Sequence, residues 1–268
     1  MASESDLTGK KFVLIDLSGT LHVGDEATPR AVEALASLKT HGFTVLFVTN
    51  TTKDSKQKLH ERLIRLGFDI HVAELYTSMS ATRLHVEKQG LRPMLLIEEE
   101  AKKDFEGISV IDPNCVVVGL SPKDFCYETL NIAMRLILEK DGPIIAVHAG
   151  RRYMSPSGMN MGPGCFVAGL EYATGQTAKV FGKPEISFFE SALSYVGCID
   201  PSKAVMIGDD VRDDVFGAQQ AGMTGILVRT GKYLPDDETK FLGIKPDFTC
   251  ENFAEAVDML LGANKRLS

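Results

Sequence analysis

Along this chain, short unbroken runs of branched apolar residues alternate with stretches in which apolar residues recur every three or four positions. The first run, Phe12-Val13-Leu14-Ile15, has no polar alternation. It predicts a strand buried on both faces, as in a parallel sheet covered by helices. Thr28 and Pro29 then offer a helix N-cap followed by proline at the first helical position, and Val32, Leu35 and Leu38 carry the helical spacing to His41-Gly42. Residues 43–48 repeat the strand pattern. A second helix follows, capped by Asp54 or Ser55, carrying Leu59, Leu63 and Leu66 and stopped by Gly67. Strand, helix, strand and helix in close succession imply right-handed crossovers and a parallel sheet.

Further on, residues 94–97, 116–118 and 144–147 predict short buried strands, and Leu130, Met134, Ile137 and Leu138 mark one face of a helix between the last two. Residues 151–164 read as an irregular loop ending in a Gly-Pro-Gly that starts the next helix. Residues 178–181 predict a return to the first sheet. A helix through Phe188, Ala192 and Val196, strands at 204–207 and 225–228 and an amphipathic helix at 253–261 follow. The expected fold class is α/β: a Rossmann-like parallel-sheet core with helices on both faces, built from 1–79 and 178–268, with an inserted domain at 80–177.

Composition narrows the function. A net charge of −7 over 268 residues argues against a broad nucleic-acid or anionic-membrane surface, though not against a small phosphate pocket. Five scattered cysteines without a CxxC pair suit reduced thiols, and the N-terminal residues show neither a basic region nor an apolar run. A cytoplasmic location is expected.

Candidate chemistry gathers where strands end, the place at which open α/β sheets collect ligands. Asp16 follows the first strand, Thr49-Asn50 closes the second, Lys183 precedes a proline and a helix, and Gly208-Asp209-Asp210-Val211-Arg212-Asp213-Asp214 follows the strand at 204–207. Carboxylates from two strand ends suit a hard, oxygen-seeking cation such as Mg²⁺, which keeps waters and bridges to phosphate. Lys183 offers a fixed positive charge beside a phosphate or beside Asp16; Thr49 and the Asn50 amide offer short donors to phosphoryl oxygens. Each has a plain alternative: a locally bonded hydroxyl, a solvated lysine, an acidic helix start favoured by the dipole. Residues 225–232 fail as a P-loop, because the glycine spacing is one too long and Tyr233 replaces the Ser or Thr.

These four segments together resemble the motifs of the haloacid dehalogenase-like superfamily, mostly Mg²⁺-dependent phosphatases with an aspartate nucleophile. Asp16-Leu17-Ser18-Gly19-Thr20 matches D-x-D-G-T except at the third position. Thr49 is the second motif, Lys183-Pro184 the third, and Gly208 to Asp214 the fourth, G-D-x-x-x-x-D. The likeness covers essentially the whole chain, and residues 47–53 and 206–210 are closest to one branch, whose members also carry Ser at the third position.

The resemblance implies that the insert is an α/β cap domain and that Asp16 forms an aspartyl-phosphate. It implies Mg²⁺ held by Asp16, the Ser18 carbonyl and Asp209, with Asp214 ordering the metal's waters. Asp16, Leu17, Ser18, Thr49, Asn50 and Lys183 would bind the substrate, and Asp16 and Lys183 carry catalysis. The implied partner is a small phosphorylated compound, with dimerisation through the cap a further expectation.

The departure at Ser18 has consequences. Most relatives place there the aspartate that protonates the leaving oxygen, and serine is no useful acid near neutral pH. Substrates whose leaving groups depart easily, such as pyrophosphate or the phosphoramidates phosphohistidine and phospholysine, are therefore expected. The rival expectation is a phosphate-binding or phosphoacceptor protein of the same fold with little turnover.

Overall fold

The structure, a computed structural model, describes residues 4–52, 54–155, 158–240 and 245–265. The chain divides into two compact units, one made of residues 1–49, 60–76 and 183–268, the other of residues 50–59 and 77–182.

The first unit is built on a six-stranded sheet, ordered along its width as Phe248–Cys250, Thr224–Val228, Ala204–Gly208, Phe12–Ile15, Thr44–Thr49 and Leu75–Thr77. Phe12–Ile15 lies between two parallel neighbours, with Ile15 level with Ile207 on one side and Phe47 on the other. Val13, Leu14 and Ile15 and the whole of Ala204–Gly208 are buried, as unbroken apolar runs require. Helices Ala31–Thr40 and Phe253–Lys265 pack against each other beside this sheet. The first helix begins later than the Thr28-Pro29 signal suggests. Arg30, at left-handed φ, precedes it, while the Thr28 hydroxyl donates to the Thr20 and Leu21 carbonyls at 2.9 and 3.1 Å. A long-range partner has taken the side chain that a cap would have used.

The second unit carries a parallel sheet of four strands in the order Lys179–Val180, Ile144–Ala146, Cys115–Val118 and Pro93–Leu96. Met79, Val86, Ala101 and Phe105 cover one face; Ala133, Ile137, Val167 and Leu170, from helices Tyr127–Lys140 and Gly164–Thr174, cover the other.

Two expectations change here. The pattern at 178–181 predicts a strand of the core sheet, but Lys179 pairs with Ile145 and Val180 with Ala146, so the second unit extends to residue 182. A two-residue strand carries too little pattern to say which of two parallel sheets it joins. The region 151–164, expected to be irregular, contains the antiparallel pair Arg152–Ser155 and Gly158–Met161, with Tyr153 opposite Asn160. Its pairing comes from the partner strand, which local composition does not reveal. No helix among the described residues is long and apolar enough to cross a membrane.

Candidate active site

The Asp16 amide donates to the Ile207 carbonyl at 2.9 Å, extending the ladder by one residue and carrying this side chain to the carboxyl end of a central strand. The chain turns at once. The Leu17 carbonyl accepts from the amides of Thr20, Leu21 and His22, and the Gly19 amide donates to the His22 carbonyl at 2.8 Å. Gly19 sits at φ +103°, and a Cβ there would stand 2.0 Å from Asp209 Oδ2, so both the turn and the close approach require glycine.

Asp16, Thr49, Lys183, Asp209 and Asp214 are all buried. Lys183 Nζ donates to Asp16 Oδ1 at 2.5 Å, to Asp214 Oδ1 at 2.6 Å and to the Val48 carbonyl at 3.3 Å. Of the solvated-lysine alternative, nothing survives. Burial works against the charged form of Lys183, but the Asp16 and Asp214 carboxylates outweigh it and its pKa moves up. Thr49 ends its strand two residues beyond Phe47, the partner of Ile15.

The acidic cluster divides its labour. Of the run whose plain reading is an acidic helix start, Asp210 is the residue that caps one. Its Oδ1 accepts from the Arg212 and Asp213 amides at 3.0 and 2.9 Å, opening a π-helical turn at Val211–Phe216. Asp209 and Asp214 instead point inward. Asp214 Oδ2 accepts from the Asp210 amide at 3.1 Å, and Asp209 Oδ2 from the Lys232 amide at 2.6 Å. Burial, reinforced by the Asp16 charge, pushes the Asp209 carboxyl up to about 7. Burial also raises Asp214, against the pull of Lys183, and pushes Asp213 up to about 6 with Asp210 adding to the effect.

Asp16, Asp209 and Asp214 each present an oxygen within 4.8 Å of the others, and Asp209 Oδ1 is buried without a hydrogen-bond partner. Several buried carboxylates around one ammonium leave negative charge uncompensated, and an all-oxygen donor set suits a hard divalent cation. The residues present therefore fit such an ion.

The remaining expected residues are placed less centrally. Leu17 is buried with its carbonyl engaged in the turn, whereas Ser18 is exposed, bridged to His22. Asn50 belongs to the second unit. Unforeseen is the segment 230–232, which fails as a P-loop yet reaches the Asp209 carboxylate and, through the Thr230 hydroxyl, the Gly19 carbonyl at 2.5 Å. Its position just beyond another buried parallel strand was the available signal.

Comparison with known proteins gives the same picture. A haloacid dehalogenase-like hydrolase family model matches residues 13–110, and a HAD-hydrolase-like model matches residues 180–256. The chain is 54% identical over 251 residues to haloacid dehalogenase-like hydrolase domain-containing protein 2 of Bos taurus, covering 94% of this chain and 96% of that one. It is 41% identical over 260 residues to phospholysine phosphohistidine inorganic pyrophosphate phosphatase of Rattus norvegicus, covering 95% and 96%. Among solved structures, 4-nitrophenylphosphatase of Thermotoga maritima superposes with a TM-score of 0.86 at 28% identity, covering 96% of this chain and 98% of the other. Motifs, fold and full-length relatives agree, and the chain belongs to the haloacid dehalogenase-like hydrolases.

Proposed function

We propose that this enzyme is a Mg²⁺-dependent phosphatase that passes a phosphoryl group through Asp16. The observation that carries this reading is the buried Asp16–Lys183–Asp214 arrangement at the end of the central strand, with Asp209 beside it. An Asp16 carboxylate oxygen forms a bond to phosphorus while the bond to the leaving group breaks, and water then cleaves the resulting aspartyl-phosphate. Lys183 holds Asp16 in place and contributes positive charge as negative charge develops on the transferred oxygens; Thr49 adds a hydroxyl donor. Asp16, the Ser18 carbonyl and Asp209 would hold the ion, with Asp214 fixing its waters. Bound there, Mg²⁺ supplies charge neutralisation and orientation for the phosphoryl group.

The substrate class follows from Ser18. Ser18 occupies the motif position at which most of the family carries the acid that protonates the departing oxygen, so the reading favours leaving groups that need little proton help. Pyrophosphate and phosphoramidates are of this kind, and the name of the 41% identical relative is in keeping with them. The second unit, residues 50–59 and 77–182, is proposed as the cap-type domain that selects among such leaving groups. A panel of pyrophosphate, phosphohistidine, phospholysine and alkyl phosphates, each with and without Mg²⁺, tests the proposal. Phosphate release confined to the first three and dependent on Mg²⁺ supports it; equal rates on alkyl phosphates sink the substrate reading. A phospho-protein that accumulates without phosphate release would instead favour the low-turnover phosphoacceptor that the same serine allows.

A further inference from the structure

Asp209 is gripped from a direction that its own strand does not supply. The Lys232 amide donates to its Oδ2 at 2.6 Å, while its Oδ1 stays buried and without a hydrogen-bond partner. Gly231, at φ +58°, lies against the same carboxylate: a Cβ there would meet Asp209 Oδ2 at 2.2 Å and the Gly19 Cα at 2.3 Å. A Cβ on Gly19 would collide with that oxygen from its own side, at 2.0 Å. The carboxylate is thus held between two glycines, one from the turn after Asp16 and one from the loop after strand Thr224–Val228. The Thr230 hydroxyl closes the arrangement by donating to the Gly19 carbonyl at 2.5 Å.

The geometry points to Thr230, Gly231 and Lys232 as a latch that orients Asp209 and the Asp16 turn together for a divalent cation. The latch rests on the metal site proposed above and adds a positioning role to a segment outside the four motifs. Its logic is that of residues behind a metal's ligands. With Oδ2 engaged by the Lys232 amide and Oδ1 buried without a hydrogen-bond partner, the carboxylate is oriented with Oδ1 as its uncommitted oxygen for the ion. The Thr230 bond ties the turn that carries Asp16 to the loop that fixes Asp209, so the spacing of the two carboxylates is constrained from behind both ligands. The Lys232 ammonium stands 3.5 Å from Asp210 Oδ2, an exposed contact that draws the loop toward the acidic cluster.

The test is Mg²⁺ binding rather than turnover alone. The Mg²⁺ dissociation constant, fitted from the dependence of melting temperature on Mg²⁺ concentration, is measured for the full chain, for Gly231→Ala, Thr230→Val and Thr230→Ser, and for Asp209→Asn. Gly231→Ala is expected to raise that constant about 10–100-fold, the usual cost of disturbing a group behind a metal ligand. Thr230→Val shifts it the same way by less, and Thr230→Ser restores it. In assays the KM for Mg²⁺ rises likewise, while kcat at saturating Mg²⁺ falls less.

Unchanged Mg²⁺ dissociation constants in both Gly231→Ala and Thr230→Val overturn the latch while leaving the metal site standing. If Gly231→Ala does not fold, Thr230→Val against Thr230→Ser decides alone. Absence of any Mg²⁺ effect on the wild-type chain overturns the metal site itself, and the latch with it.

Discussion

Lys183 donates to Asp16 Oδ1 at 2.5 Å across 167 residues of sequence, and the same ammonium reaches Asp214 Oδ1 at 2.6 Å. One buried cation thereby gathers a carboxylate from the central strand and another from the turn after its neighbour. Removing one partner from a buried, hydrogen-bonded ion cluster leaves the others uncompensated, which is more damaging than never having built it.

Replacement of Asp16 by Asn removes the proposed nucleophile and one carboxylate partner of Lys183 together. Phosphate release is expected to fall by about 10⁴-fold or more, as when a nucleophile is removed elsewhere. Acid quenching should trap a phospho-protein in the wild type and none in the variant. Full activity in D16N would remove the basis of the proposed mechanism.

Lys183→Met removes the only ammonium that bonds both Asp16 and Asp214 among the described residues. Metal-free protein is expected to lose about 3 kcal/mol in urea denaturation, the lower end for a broken buried pair. Added Mg²⁺ should return part of the loss, because a cation again faces the carboxylates. A variant as stable as wild type without metal would show that the cluster holds little charge.

Ser18→Asp restores the acid at the third motif position. On alkyl phosphates kcat/KM should rise by about 10²–10⁴-fold, the worth of general acid–base help, with little change on pyrophosphate. No gain on alkyl substrates would count against the account of leaving-group preference.

His22 gives a stability prediction with a definite sign. It is buried, with Nδ1 2.9 Å from the Gly24 carbonyl and 3.3 Å from an Arg62 nitrogen. Burial, then the Arg62 charge, lowers its pKa in the folded state, while the Gly24 carbonyl, Asp16 and Asp25 pull the other way. The unfolded chain therefore binds this proton more readily. Stability from neutral His22 is fully present above an ordinary histidine pKa of about 6.5 and drains away as pH falls below it. Asp209 and Asp213, raised to about 7 and about 6, act oppositely in metal-free protein, weakening it as pH climbs from about 4 toward those values. Comparing unfolding free energies of wild type and His22→Gln from pH 5 to 8 isolates the histidine. The difference between them should narrow as pH falls; a constant difference would refute the assignment.

Much of this site was legible without coordinates, and the reason is local. Strands buried on both faces leave unbroken apolar runs such as 12–15 and 204–207, and whatever polar residue ends such a run in a parallel sheet arrives at the ligand edge. Asp16, Thr49 and Asp209 were visible for that reason. Lys183 was visible through its proline neighbour and its place in the motif order, not through periodicity.

The amino-acid sequence by itself determined the type of most elements, the residues at the strand ends and the family, because each is written in a few neighbouring positions. Tertiary structure alone decided that Lys179–Val180 joins the second sheet and that Arg152–Ser155 pairs with Gly158–Met161. It alone decided that Thr28 bonds the Asp16 turn, that the Lys232 amide bonds Asp209 and that Thr230 bonds Gly19. Each of these depends on which distant segment arrives to accept a hydrogen bond or cover a face, and short-range pattern holds no record of that arrival.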